Sequence, residues 1–170
     1  FGGGEDGYVC GNTQILYKRG LLGTTGLTEY DGNIYGGGKN LNNSDNLLIG
    51  GVGGNAQVSM LDGQVMGNLY GGGKMGSVGV QPDGTMYANG NDHGKTIVNV
   101  SGGTIGVNDN AHIASEYSCS VFGGGRGITN DHTIGQVLNT DVTISGTALV
   151  LENVYGGGAI AQVDYDALVS

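Results

Sequence analysis

Tryptophan is absent from this sequence, proline occurs once, and cysteine occurs twice, at Cys10 and Cys119. A single proline, Pro82, excludes collagen, which needs abundant proline and a strict Gly-X-Y period. The two cysteines are far apart in the sequence, and their spacing does not favour a disulfide, although one bond could form in an exported protein. We therefore expect two small buried side chains.

Basic residues are also scarce, with 6 Lys and Arg against 15 Asp and Glu and a formal net charge of −9. No run of Lys or Arg is present to neutralise phosphates, which argues against binding to nucleic acid or to an anionic lipid surface. No apolar run is long enough to span a bilayer, so we expect no membrane insertion.

Glycine is abundant, at 38 of 170 residues, and much of it belongs to one repeated motif. The motif is an aromatic residue followed by three glycines, here called the triple glycine. Its five copies are Phe1–Gly4, Tyr35–Gly38, Tyr70–Gly73, Phe122–Gly125 and Tyr155–Gly158. The aromatic residues are separated by 34, 35, 52 and 33 positions. Three near-equal steps and one enlarged step are typical of a structural repeat with a single insertion.

Short stretches of alternating apolar and polar residues, such as Ala56–Met60, precede most copies of the motif and end at glycine turns such as Asp62-Gly63. Such runs predict half-buried strands. We predict an all-β fold, a parallel β-solenoid of about five rungs, right-handed because crossovers favour that hand. Residues 1–170 form a single repeat array, with an irregular insertion at 75–120. We expect one helical turn within Ala111–Tyr117.

The triple glycines are predicted to be structural turns. Glycine reaches positive φ without a Cβ clash, and coils stacked about 4.8 Å apart leave little room for side chains at tight corners. A phosphate-binding loop is excluded, because each Gly-Gly-Gly-Lys is followed by Asn40 or Met75 and not by Ser or Thr. The predicted turn residues are Gly36, Gly37, Gly38, Gly71, Gly72, Gly73, Gly123, Gly124, Gly125, Gly156, Gly157 and Gly158.

An aliphatic residue precedes every internal aromatic of the motif. If these aliphatic side chains point inward, the rings form a stacked column outside the core or at its rim. Internal support by stacked rings is the leading interpretation. The alternative is a stripe of rings that binds sugar faces, formed by Tyr35, Tyr70, Phe122 and Tyr155.

Other candidate sites are weak. His93, His112 and His132 lack the spacing of a zinc site and are expected in solvated turns. Asp92, Asp109 and Asp131 are the candidate calcium ligands, since carboxylates in turns suit this cation, but no EF-hand loop is present. No cofactor is predicted.

Catalytic patterns are missing as well. The acidic residues are scattered among turns, a lone Arg126 follows a triple glycine, and no Gly-x-Ser-x-Gly elbow occurs. We therefore predict that the chain is not an enzyme.

Units such as Asp141–Gly146 followed by Asn153–Gly158 resemble the glycine-rich repeats of large secreted or cell-surface proteins of gut anaerobic bacteria. That resemblance implies a β-solenoid with an adhesin-like or structural role. We expect an extracellular or cell-surface module, filament- or stalk-like, that binds glycans or host surfaces. The alternatives are a carbohydrate-active β-helix enzyme (a polysaccharide lyase or glycoside hydrolase) and a segment like a phage tail fibre. Two or more carboxylates converging in one groove would overturn the structural assignment.

The chain opens within a repeat, without an initiator Met, and closes on further strand-like residues. We therefore expect a fragment or a processed product of a longer polypeptide. Uncapped terminal rungs expose strand edges, so we also expect self-association end to end, or continuation into further rungs.

Overall fold

The computed structural model describes residues 1–41 and 44–170, and almost all of its regular structure is short β-strand. The chain forms successive coils, and each strand of one coil pairs with the equivalent strand of the previous coil. The strands are β1 Thr13–Tyr17, β2 Leu21–Leu22, β3 Ile34–Tyr35, β4 Ala56–Met60, β5 Gln64–Val65, β6 Leu69–Tyr70, β7 Lys95–Val100, β8 Thr104–Ile105, β9 Val121–Phe122, β10 Asn139–Ile144, β11 Leu149–Val150, β12 Val154–Tyr155 and β13 Ala167–Val169. One short helix, α1, spans Asn110–Ile113 and overlaps the predicted helical turn of Ala111–Tyr117.

Three parallel sheets result from this winding. The long sheet has the order β1-β4-β7-β10-β13, the second sheet β2-β5-β8-β11 and the third sheet β3-β6-β9-β12. A further column of single bridges joins Val9, Val52, Val78, Val137 and Val163. The fold is therefore a parallel β-solenoid, as predicted, and its hand stays a prediction.

The core lies between the three sheets and is built from the inward half of each alternating strand. In β4, Ala56, Val58 and Met60 are buried while the residues between them are partly exposed. Val58, Met60 and Leu69 belong to one apolar cluster that runs along the stack. Each aliphatic residue before a motif aromatic joins this cluster, which confirms the predicted inward direction. In the described residues, no helix has the length and apolarity that crossing a bilayer requires.

Two kinds of glycine corner turn the chain. The corner after each long strand holds a glycine with positive φ, and its members are Gly20, Gly63, Gly103 and Gly146. The triple glycines are different, because none of them has a φ in the left-handed region. What they need is space: a Cβ on Gly72 would lie 2.7 Å from the backbone nitrogen of Gly125 in the next rung. Close stacking of backbones, and not positive φ, explains the motif.

The interval 75–120 contains regular structure. It includes the bridge at Val78 and the strands β7 and β8, so its irregular residues occupy two separate loops, 79–94 and 106–120. Each of the shorter steps between aromatics also contains one loop, namely 23–33, the described residues within 40–51, or 127–136. The enlarged step is therefore one coil that carries two loops instead of one.

Candidate functional site

The five motif aromatics form one continuous stack, the aromatic column. Ring centroids of successive members are 4.8, 4.7, 5.0 and 4.9 Å apart, and the rings are nearly parallel. The column lies on the side of the third sheet that faces away from the core, because strand neighbours point to opposite faces. The predicted column is confirmed.

Two of its three interior members, Tyr35 and Tyr70, are closed to solvent, and the third, Phe122, is half-buried. Tyr35 is 1% exposed and Tyr70 is not exposed at all, since both faces of each ring are stacked. Burial raises the pKa of both phenols. A sugar needs a free ring face, so the interpretation of the whole column as a sugar-binding stripe is wrong for these two residues. The end rings are open: Phe1 is 52% exposed and Tyr155 45%.

A row of charged residues follows the triple glycines and runs beside the aromatic column. The residues directly after the first four copies are Glu5, Lys39, Lys74 and Arg126. Backbone bridges pair Glu5 with Lys39 and Lys74 with Arg126, so the repeat itself aligns these side chains. Lys74 and Arg126 are buried, at 2% and 7% exposure. We call Lys39, Lys74 and Arg126 the cation row.

Acidic and aromatic side chains from two loops cover the cation row. Glu29 Oε2 lies 3.6 Å from Lys74 Nζ and 4.0 Å from Arg126 Nε, and Glu116 Oε2 lies 3.8 Å from Arg126 Nη2. Lys74 Nζ also lies 4.7 Å from the ring centroid of Tyr30. Burial lowers the pKa of Lys74. For Arg126, burial acts in the same direction, but interactions with Tyr70, Tyr35 and Glu116 together outweigh it and raise the pKa.

The two loops are the first covering loop, residues 23–33, and the second covering loop, residues 106–120. Asp31 organises the first, since its carboxylate accepts hydrogen bonds from the backbone N–H groups of Thr24 and Thr25 at 2.8 and 2.6 Å. These backbone hydrogen bonds lower the pKa of Asp31. Asp109 caps α1 in the second loop by accepting from the His112 backbone N–H at 2.9 Å.

His112 joins the two covering loops. Its Nδ1 lies 2.7 Å from Asp109 Oδ1, and its Nε2 is hydrogen-bonded to the Thr25 carbonyl oxygen. Both partners are acceptors, so both ring nitrogens must carry protons for the two bonds to form together. Burial acts to lower the pKa of His112, but these hydrogen bonds outweigh it and raise the pKa above its ordinary value.

Two cavities meet at Arg126 and Ile160 and together form what we call the Arg126 groove. The larger, about 410 Å³, contains Glu29, Tyr30 and Lys74 on its wall. The smaller, about 210 Å³, contains Glu116, Glu152 and Tyr155. Ile160 has a φ of 66° and Met75, in the larger cavity, a φ of 59°. Such values are rare for residues other than glycine and often mark functional positions.

Glu116 and Glu152 therefore share one cavity, which the scattered acidic residues of the sequence did not predict. This convergence is the arrangement that would favour a carbohydrate-active enzyme over a structural module. Glu116 pairs with Arg126, however, whereas the Glu152 side chain has no ion pair or hydrogen bond among the described residues. Glycoside hydrolysis needs two carboxylates in separate roles, and this convergence meets the condition set in the sequence analysis, so an enzyme is kept as a second candidate beside the structural module.

The calcium candidates are dispersed in the structure. Asp109 binds His112, Asp131 accepts hydrogen bonds from Thr133, and Asp92 lies at a separate cavity beside Lys95. Across residues 1–41 and 44–170, no group of three or more His, Cys, Asp or Glu side chains is placed to hold a metal ion.

The remaining predicted residues take structural positions. His93 stacks on Tyr87 with centroids 4.3 Å apart, and His132 Nδ1 is 2.9 Å from the Ile160 carbonyl oxygen. The His112 ring is buried between the covering loops, not in a solvated turn as expected. Both cysteines are free thiols; Cys119 is buried as expected, but Cys10 is exposed, so the expectation was wrong for Cys10.

Sequence reasoning missed Glu29, Tyr30, Lys39 and Lys74 as site residues. One signal was available for the two lysines, because the position after the triple glycine is charged in four of five copies. Glu29 and Tyr30 lie in a loop without periodicity, and nothing in the sequence indicated which rungs that loop covers.

Comparison of the chain with protein-family models, with curated proteins and with solved structures gives no match in any of the three.

Proposed function

We propose that this chain is an extracellular or cell-surface structural module, a segment of a filament or stalk with an adhesive side face. One observation carries the proposal: the end faces of the stack present the same surfaces that internal rungs bury against each other. Phe1 and Tyr155 each leave one ring face open, whereas interior rings have none. The strands β1 and β13 are the edges of the long sheet. Open edges of this kind favour addition of further strands, either from further rungs of the same polypeptide or from a second copy.

The two end faces are complementary in register. A second copy placed above the last rung would seat its Phe1 on Tyr155 and its β1 on β13, continuing both the aromatic column and the long sheet. The second sheet would lack one strand at this junction, because it has four members where the long sheet has five. Head-to-tail contacts of this type do not close and generate filaments.

Sedimentation velocity and electron microscopy of the purified 170-residue chain test the proposal, with the Gly157→Ala variant as comparison. A Cβ on Gly157 meets nothing within 4 Å in the single chain, whereas the equivalent Cβ on Gly72 meets the next rung. We expect concentration-dependent end-to-end assembly for the natural sequence and a folded monomer for Gly157→Ala. A natural chain that stays monomeric and unfolds cooperatively at micromolar concentration would refute end-to-end stacking.

The pairing of Glu116 and Glu152 in one cavity favours a second candidate, a carbohydrate-active enzyme. In that case Glu152, the carboxylate without a cationic partner, would be the proton donor or base. Release of reducing ends or unsaturated sugars from acidic polysaccharides, lost in Glu152→Gln, would establish it. Absence of turnover across a panel of such polysaccharides would exclude this second candidate.

A further inference from the structure

We propose that the Arg126 groove binds the carboxylate of an acidic sugar, a uronate residue within a glycan. This inference rests on the proposed adhesive function and gives it a ligand. The groove is a concave site of the size that small ligands occupy, and its floor is made by two buried cations. Its lining carries the cations Lys74 and Arg126 together with the carboxylates Glu29, Glu116 and Glu152, so an entering carboxylate competes with these side chains for the two cations.

The guanidinium of Arg126 has donor capacity to spare. An arginine pairs best with a carboxylate through two parallel N–H···O bonds near 2.8 Å. Its two carboxylate partners here lie at 3.8 and 4.0 Å, through different nitrogens, so neither forms a bidentate pair. The Tyr117 ring covers one face of the guanidinium at 4.7 Å, and Arg126 lines both cavities of the groove. A ligand carboxylate can therefore make the bidentate contact that the protein does not make.

Glu29 occupies the place that the ligand carboxylate would take. Its Oε2 atom lies between Lys74 Nζ and Arg126 Nε, at 3.6 and 4.0 Å. Glu29 belongs to the first covering loop and is about one-third exposed, so it can move out when a better-placed carboxylate enters. Ligand binding thus replaces one long ion pair by a shorter one and does not leave the cations unpaired.

The rim of the groove suits a sugar better than an acidic peptide. Tyr30 is 58% exposed and offers ring surface on which a pyranose can pack. Ser115 and Glu152 add polar groups that can bond to sugar hydroxyls. The two cavities lie on either side of Arg126, so neighbouring sugars of one chain could occupy both.

The test is isothermal titration calorimetry at pH 7 with trigalacturonate, compared with its fully methyl-esterified form and with a triglutamate peptide. Esterification removes the charge and keeps the sugar shape. We expect binding of trigalacturonate only. Arg126→Lys keeps the charge but loses the planar fork, and should weaken binding by about tenfold. Glu29→Gln removes the internal competitor and should tighten binding several-fold.

Lys95→Gln is the matched control, because Lys95 is a cation paired with Asp141 at 3.0 Å on the long sheet, outside the Arg126 groove. The affinity of Lys95→Gln for trigalacturonate should stay within about twofold of that of the natural chain. Lack of binding by trigalacturonate, equal binding of triglutamate, or weaker binding by Glu29→Gln would each overturn the proposal. Should Arg126→Lys fail to fold, Glu29→Gln still decides. If trigalacturonate does not bind but the chain still assembles end to end, the ligand site is rejected and the structural role remains. If trigalacturonate binds but the chain does not assemble, the structural role is rejected.

Discussion

The His112 Nε2 atom and the carbonyl oxygen of Thr25 are hydrogen-bonded across 87 residues of sequence, and this bond joins the two covering loops. On the other side of the ring, Asp109 accepts from Nδ1. A neutral imidazole has one N–H and can serve only one of these acceptors. The link between the loops therefore depends on the protonation of one side chain.

The stability of the two covering loops should fall as pH rises. The pKa of His112 is raised in the folded chain above the ordinary value of 6.5. The stabilising contribution is therefore complete below pH 6.5 and is lost as pH rises through the folded pKa. Hydrogen exchange at residues 24–31 and 107–118, measured between pH 5.5 and 9 and corrected for intrinsic rates, should show protection that declines over this window.

His112→Gln should remove the pH dependence of protection in these loops, and His132→Gln should retain it. His132 is a suitable control because it lies outside both covering loops and its ring contacts the Ile160 carbonyl oxygen. Equal pH profiles for the natural chain and His112→Gln would show that His112 does not control the loops.

Tyr70→Ala should destabilise the chain by about 4 kcal/mol, the usual range for deleting a large buried ring. Tyr70 stacks on both faces and its hydroxyl accepts a hydrogen bond from Asn68 Nδ2 at 2.9 Å. Tyr155→Ala removes a half-exposed ring with one stacking partner and should cost about 1 kcal/mol. Urea denaturation of the two variants measures the difference in the free energy of unfolding. Similar losses of stability would mean that stacking on both faces and full burial add little to the contribution of a ring.

Gly72→Ala should cost on the order of 3 kcal/mol, because its Cβ would meet the Gly125 backbone and a core methyl group of Val137 at 3.0 Å. Gly157→Ala, at the same motif position in the last rung, should leave the melting temperature of the monomer nearly unchanged. Measurement by differential scanning calorimetry at low concentration separates folding from assembly. If both variants lose stability equally, crowding between rungs is not the reason for the triple glycine.

Ile160→Gly should stabilise the chain by up to about 1 kcal/mol. A β-branched residue with a φ of 66° is strained, and glycine relieves this strain at the cost of a more flexible unfolded chain. Ile128→Gly is the control, since Ile128 is also half-buried and lies at the same cavity but has no positive φ. That control should destabilise. Loss of stability in Ile160→Gly would mean that side-chain packing outweighs the strain.

The rung architecture could be predicted because it repeats. Leu69 and Tyr70 are neighbours on a strand, so burying one in the core places the other on the outer face, and the same pair recurs in each coil. The site could not be predicted in the same way. Glu29 reaches Lys74 across 45 positions, and its place depends on how a non-repeating loop folds back over the next rungs. The burial of Tyr35 has the same cause, because its hydroxyl donates to the Glu29 carbonyl oxygen at 3.0 Å.

In this molecule the length along the solenoid axis does not depend on the length of the loops. From Thr140 to Ala167, 27 residues complete one coil with no long loop, whereas the coil between Tyr70 and Phe122 uses 52. Both advance the stack by one strand spacing, about 4.8 Å. Axial length therefore depends on the number of coils alone, and loop length alters only the width of the solenoid. Insertions and deletions in the loops can remodel the side face without changing the distance that the module spans.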